Sequence, residues 1–310
     1  MTASGAVMDE AGGEARSGGD VSLARRVLQS LRRDKFALVA LGYLGLLIVV
    51  ALFGPTFSPY EGSEIVRDAS GRVEVLRPPS RMFPLGTSAF GRDILSQMIY
   101  GTRPVLIVGF VCAIIPTALG YVLGLLAGYL RGGVDMLISR TVEVWYAIPS
   151  DPFAIVLLVI LEPSLATLIL AISLTYWLRP IRPVRNQVLT LSESPFIKSA
   201  RVAGASSGWI ITRHLVPLTL PLGFVYIPIG FVNAVLGEAA LSFLGFGDPQ
   251  LVSWGGIMRD AFSGGALQTG WWWIVWPGLA ITLTAVSIFL VARPIEEVID
   301  PRLKSSKEVL

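Results

Sequence analysis

Long uncharged apolar runs alternate with short polar and basic segments along this chain. The first run, FALVALGYLGLLIVVALF from Phe36 to Phe53, contains no charged residue and directly follows Lys35. A bilayer core about 30 Å thick takes roughly 20 apolar helical residues to cross, so a first transmembrane helix is expected over 36–56. Basic residues before an apolar run also mark signal peptides. This run exceeds a typical signal core and lacks a small-x-small cleavage site, so it reads as an uncleaved anchor. Further runs cover Pro104 to Leu130, about Val134 to Leu161, roughly Pro163 to Leu178, Leu215 to Gly237 and Trp271 to Ala292. The expected fold class is an all-α polytopic membrane protein with six transmembrane helices, its core lying over 104–293.

Irregularities within these runs predict packing. Gly120, Gly124 and Gly128 fall on one helix face, the small-xxx-small spacing that lets another helix approach closely. The third run is interrupted by Asp135, Arg140, Glu143 and Asp151 and by Pro149 and Pro152, so protein or a cavity must shield it. The fifth carries Pro217, Pro221 and Pro228. Residues 1–20, rich in Gly, Ala and Ser with few large apolar side chains, predict a disordered tail. Over 21–35, Ala24, Val27, Leu28 and Leu31 recur at helical spacing opposite Arg25, Arg26, Arg32 and Arg33, which predicts an amphipathic helix on the membrane surface.

Charge sets the orientation. Between the fourth and fifth runs, Arg179, Arg182, Arg185, Lys198, Arg201 and Arg213 face a single acid, Glu193, which makes this loop cytoplasmic by the positive-inside rule. The loop over 57–103 carries six arginines on the opposite side, yet all four lysines fall on the cytoplasmic side. Trp271, Trp272 and Trp273 then sit at the outer interface, where indoles concentrate. Both termini, including the tail over 294–310, are therefore expected in the cytoplasm.

Composition narrows the chemistry. Hydrophobic residues make up 53% of the 310, and charged residues only 15%, against about a quarter charged in soluble domains. The net charge of +3 does not point to nucleic acid, because long stretches carry no charge at all. The only cysteine, Cys112, lies in an apolar run, and the only histidine, His214, leaves no histidine cluster for a metal or a histidine-based triad. No cofactor is expected. A phosphate-cradling G-x-x-x-x-G-K-[ST] loop is missing, so active transport would draw its energy from an ion gradient or from a separate ATPase docked on this chain.

The segment FIKSARVAGASSGWIITRHLVP, Phe196 to Pro217, fits a docking surface. Its small residues Ser199, Ala200, Ala203, Gly204 and Ala205 let a helix, expected at about 196–213, sink into a cleft, while Val202, Trp209 and the flanking cations supply contact and orientation. From composition alone, an amphipathic surface helix that is basic because it is cytoplasmic remains the competing reading.

Here the segment resembles the E-A-A, x3, G coupling loop of ABC importer permeases, with Ala200 at the second alanine and Gly204 at the glycine. Lys198 stands where the motif has glutamate, and Ser199 where it has its first alanine. FPLGTSAFGRDILSQMIYGTRP, Phe83 to Pro104, is similar to the P-L-G-T-D-x-x-G-R-D-x-x-S-R-x-x-Y-G segment of dipeptide, oligopeptide and nickel permeases, with Ser88 for aspartate and Gln97 for the second arginine. GEAALSFLGFGDPQLVSWGGIM, Gly237 to Met258, is similar to the corresponding segment of their C-type subunit, and IDPRL, Ile299 to Leu303, to its closing D-P-R.

The resemblance implies a type I ABC importer permease fold and a non-catalytic subunit in the inner membrane of a prokaryote. Its implied partners are a second homologous permease, two cytosolic ATP-binding subunits, an outer substrate-binding protein and membrane lipid. Lys198, Ser199, Ala200, Gly204, Ala205 and Trp209 become the expected ATPase-coupling residues. Peptides are common cargoes in this family, alongside nickel and other solutes.

By residue chemistry alone, Thr87 or Ser88 can cap a helix beginning near Phe90, and LSFLGFG is either a re-entrant element or an interfacial turn. Glu143 is a candidate pathway residue, although Arg140 lies three positions away on the same face, so a structural ion pair competes with a substrate contact. Glu238, at the end of the fifth run, is a second candidate. The rival function, an ion-coupled secondary transporter, would require paired mid-membrane carboxylates and internal symmetry. Only Glu143 qualifies clearly as a deep acid.

Overall fold

The computed structural model describes residues 23–299. The expected disordered tail over 1–20 and the D-P-R at 300–302 lie outside the described residues. Helix α1 (Leu23–Arg33) leads into α2 (Lys35–Phe57). The junction is set by Asp34, whose Oδ1 accepts hydrogen bonds from the amides of Phe36 (2.9 Å) and Ala37 (3.1 Å). These are N–H groups that the first turn of a helix cannot pair internally.

Helix α3 (Ile94–Leu130) starts ten residues before the expected span. Its cap is Asp93, which accepts from Ser96 N (2.8 Å) and Ser96 Oγ (2.7 Å). The expected caps, Thr87 and Ser88, serve the preceding turns instead: Ser88 Oγ accepts from the amides of Phe90 and Arg92, and Thr87 Oγ1 from that of Arg77. The first part of the conspicuous 83–104 motif, up to Asp93, thus folds as a compact platform, and the remainder opens α3. Trp272 Nε1 donates to Thr87 O (3.3 Å), and Phe90 meets Trp273 edge-on, tying this loop to the last long helix.

The third expected span is broken. Helices α4 (Gly132–Tyr146) and α5 (Ser150–Leu161) meet at 85°. Pro149 forces Ile148 out of helical conformation, while Pro152 falls in the first turn of α5, where its missing N–H costs nothing. Helix α6 (Leu165–Tyr176) has 12 residues, about 18 Å, too short to cross a bilayer alone. It is followed by α7 (Ile181–Ser192) and α8 (Pro195–Val202).

The long α9 (Ser207–Phe243) contains a π-helical turn at Ile211–Leu215. This widened turn immediately precedes Pro217, which cannot donate to the carbonyl four residues back. Helices α10 (Trp254–Ser263) and α11 (Trp272–Ile299) complete the described chain. Four helices, α2, α3, α9 and α11, are long and apolar enough to cross a membrane, and the bent α4–α5 pair makes a fifth crossing if taken as one. The expected count of six is therefore not reproduced among the described residues. No extended strand is present there, only isolated bridges such as Arg67 to Val73.

Helix α3 makes its closest backbone approach to α7 and the connection before it. Side-chain carbons placed on Gly120, Gly124 and Gly128 would come within 2.1 Å of Trp177 O, 2.6 Å of Ile181 O and 2.7 Å of Arg185 O. Backbone therefore lies directly against backbone. On its other faces α3 packs against α9 through Phe231 and Val235, with Leu47 and Ala51 of α2 in the same core. Gly120→Val should destabilise the folded subunit by about 2 kcal/mol or more, since the opposing atoms are main chain and cannot repack. Gly42→Ala, with nothing within 4 Å, should be neutral or slightly stabilising; equal melting temperatures for the two variants in detergent would refute this packing account.

Candidate functional site

At the end of the bundle where α3 terminates, α8 and the start of α9 form an exposed corner. It is built on two anchors: Ile197 and Ile210 are fully buried against Tyr129, Val184, Val188 and Leu215. The expected single helix over 196–213 is instead two helices joined by a tight turn. Gly204 N donates to Arg201 O (3.1 Å) and Ala205 N to Ala200 O (3.1 Å), the paired bonds of a glycine-terminated helix end. Gly204 sits at φ +86°, a region that L side chains rarely occupy. The new helix starts at once, with Ser206 Oγ accepting from Trp209 N. Small residues here serve the reversal as well as any approach by a partner.

What the corner presents outward is apolar and basic. Val202 is 91% exposed and Trp209 48%. The ring of His214 lies edge-on between Trp209 and Phe196, with centroids 4.9 and 5.9 Å away. Lys198, Ser199 and Gly204 are exposed, whereas Ala200 and Ala205 are half-buried at the base of the turn. Arg201 is folded over the Tyr129 ring at 5.6 Å.

Glu193 was only the lone acid in a basic loop when read as sequence; in the structure it ties the corner to the rest of the subunit. Its Oε1 accepts from Arg131 Nη2 (2.5 Å), and its Oε2 pairs with Lys198 Nζ at 3.0 Å. Lys198, followed by Arg131, holds the Glu193 carboxyl below its ordinary range. The lysine that replaces the motif glutamate is therefore engaged within the chain. Arg131 itself sits between α3 and α4 at φ +54°, so one carboxylate links the α3–α4 junction to α8.

The two candidate pathway acids lie apart from this corner and from one another. Glu143 is exposed and paired with Arg140 Nη1 at 2.8 Å, the competing structural contact. Glu238 is 2% exposed, and its Oε1 accepts from Ser242 Oγ at 2.6 Å. It thus sits inside the subunit rather than on a surface. The nearby LSFLGFG ends α9: Phe246 N donates to Leu241 O and Gly245 takes φ +98°. That is a helix-terminating turn. Among the described residues there is no cluster of metal-binding side chains.

Membrane-length helices, a broken span and an exposed corner held by buried anchors define a polytopic membrane protein. The chain belongs to the family described as binding-protein-dependent transport system inner membrane component, whose model matches residues 120–305. Residues 22–79 match a second model, the N-terminal TM domain of oligopeptide transport permease C.

Among its relatives are the dipeptide transport system permease protein DppC of Alkalihalophilus pseudofirmus, 35% identical over 288 residues and covering 92% of each chain, and the oligopeptide transport system permease protein OppC of Bacillus subtilis, 30% identical over 92% of this chain and 91% of that one. A chain of the inward-facing MetNI methionine ABC transporter shares the fold, with a TM-score of 0.50 and 20% identity over 65% of this chain and 96% of that chain.

The protein is thus a multi-pass inner-membrane permease subunit of an ABC transporter, with ATP hydrolysis on separate subunits and with ATPase and substrate-binding partners. This sets aside the ion-coupled reading.

Lys198→Glu places a second carboxylate beside Glu193. The amides of Ala203 and Gly204 should then exchange with deuterium about threefold faster or more while those of α3 keep their rates, since local opening is governed by local contacts. Unchanged exchange at both amides would show that the Glu193 bridge does not hold the turn.

Proposed function

We propose that this subunit forms half of the translocation pathway of an ATP-driven importer for short peptides, paired with a second homologous permease and two ATP-binding subunits. The relatives named for dipeptide and oligopeptide transport support the cargo. The observation that carries the coupling role is the α8–α9 corner, where Val202 and Trp209 project from a base anchored by Ile197 and Ile210. An ATPase cleft that receives the exposed tip can pull on α8. The pull passes through the buried anchors to α7 and α9 and through Glu193 to the α3–α4 junction. Lys198, Ser199, Ala200, Gly204, Ala205 and Trp209 are assigned to this contact.

Orientation follows from charge. The α8 end carries Lys198, Arg201 and Arg213 with Glu193 as the one acid of its loop, which favours the cytoplasm for this end and for both termini. The platform over 58–93 then faces the delivering substrate-binding protein. Glu143, exposed on α4, is assigned to the pathway surface; Glu238, sealed inside the subunit, supports the turn after α9.

Gly204→Asp tests the coupling assignment directly. Nothing lies within 4 Å of a side chain placed there, and Asp tolerates the left-handed region better than most residues. The variant should therefore insert and pair with its permease partner while uptake falls by about tenfold or more. Wild-type uptake by this variant would remove α8 from the coupling role.

A further inference from the structure

At the bend between α4 and α5 the subunit leaves charged side chains uncovered beside its membrane-spanning core. Asp151 stands exposed in the first turn of α5, Arg179 is exposed on the connection from α6 to α7, and Arg182 is exposed in the first turn of α7. The two guanidinium groups are carried on aromatic rings: Arg179 lies 4.7 Å from the Tyr176 centroid, and Arg182 lies 4.7 Å from that of Tyr146. The Tyr176 hydroxyl donates to Asn233 O (3.4 Å) on α9, which fixes its ring. The Asp151 carboxylate and the Arg179 guanidinium are both within electrostatic reach of that hydroxyl. Trp145 meets both Phe153 of α5 (5.2 Å) and Trp177 (6.1 Å) edge-on, so the first turn of α5 lies beside the connection from α6 to α7. Among the described residues, none of Asp151, Arg179 and Arg182 makes an ion pair.

Their depth makes this costly. Trp177 O and the Pro180 ring rest on Gly120, which lies ten residues before the end of α3, or about 15 Å along its axis. Arg179 also follows Leu165, the start of α6, by only 14 residues, about 21 Å against a hydrocarbon core of about 30 Å, so Arg179 and Arg182 lie within the spanning depth and not in the cytoplasmic loop expected for them. Facing hydrocarbon, they would be strongly disfavoured; charged groups at such depth line water-filled paths or meet other charges.

We propose that Asp151, Arg179 and Arg182, walled by Tyr146 and Tyr176, form a transient site in the translocation pathway for the two charged ends of a short zwitterionic peptide. The inference rests on the reading of this chain as a peptide permease. Guanidinium forks suit a terminal carboxylate, and Asp151 suits a terminal ammonium. The flat aromatic walls accept a backbone and varied side chains without selecting among them. Each charge is open to water, so binding stays weak enough for the peptide to leave, as a conduction path requires.

The test uses the intact transporter with its binding protein in lipid vesicles and follows radiolabelled dialanine taken up per ATP hydrolysed. In Asp151→Asn, and in the double variant Arg179→Gln with Arg182→Gln, this ratio should fall by about fivefold or more. Asp151→Glu, which keeps the charge, should restore at least about half of it. Ratios within about twofold of wild type in both charge-removing variants overturn the site. Loss of the second permease from the purified variant complexes overturns it too, because the charges then pair across the subunit interface. Failure of the wild type to import dialanine while its ATPase responds to another loaded cargo overturns the peptide reading and the site with it. Normal wild-type uptake with unaltered variants overturns the site alone.

Discussion

The arrangement of this subunit depends on one close approach, that of α3 and α7 through Gly120, Gly124 and Gly128. In a membrane the lipid tails are as apolar as the helices, so association rests on packing and not on the exclusion of water. Three glycines in register bring main chain against main chain along two helical turns. Once α7 is pressed into that groove, α8 has no freedom about where to emerge. The buried side chains of Ile197 and Ile210 then meet the same end of α3, and the exposed corner is fixed relative to the spans. A looser contact at Gly120 would shift each of these elements in turn.

Much of this was legible in the sequence because its causes are periodic. Spans declare themselves through length and lack of charge, and the three glycines through their four-residue spacing. The failures share a different cause: local hydrogen-bond competition that composition does not reveal. Thr87, Ser88 and Asp93 are all good caps, and the choice among them is made by turns that consume the first two. Pro149 marked an interruption but not an 85° one. The segment after Phe196 read as one helix, since nothing in its hydropathy shows that Gly204 adopts a left-handed conformation. Its partner glycine, Gly245, ends α9 by the same device.

The candidate site was legible in outline and misread in its wiring. The small residues of the corner stood out, and Glu193 was visible as an isolated acid, yet its two partners come from positions 131 and 198. Such a link depends on where α3 ends relative to α8. The substitution of Lys198 for the glutamate of the resembling motif looked like a lost contact. In the structure it is a gained one, made within the chain. Glu238 stood out by its place near a helix end, and its burial and its bond from Ser242 Oγ are legible only in the structure.

Helix α3 is 37 residues long, about 55 Å, nearly twice the thickness of a hydrocarbon core. One continuous helix, with Pro104 and Pro116 inside it, therefore joins the platform of residues 58–93 to the Arg131 junction. A tilt of about 10° around its midpoint displaces its two ends by about 5 Å in opposite senses. Under the coupling role proposed for α8, a movement begun there would reach the platform as a displacement of the opposite sign.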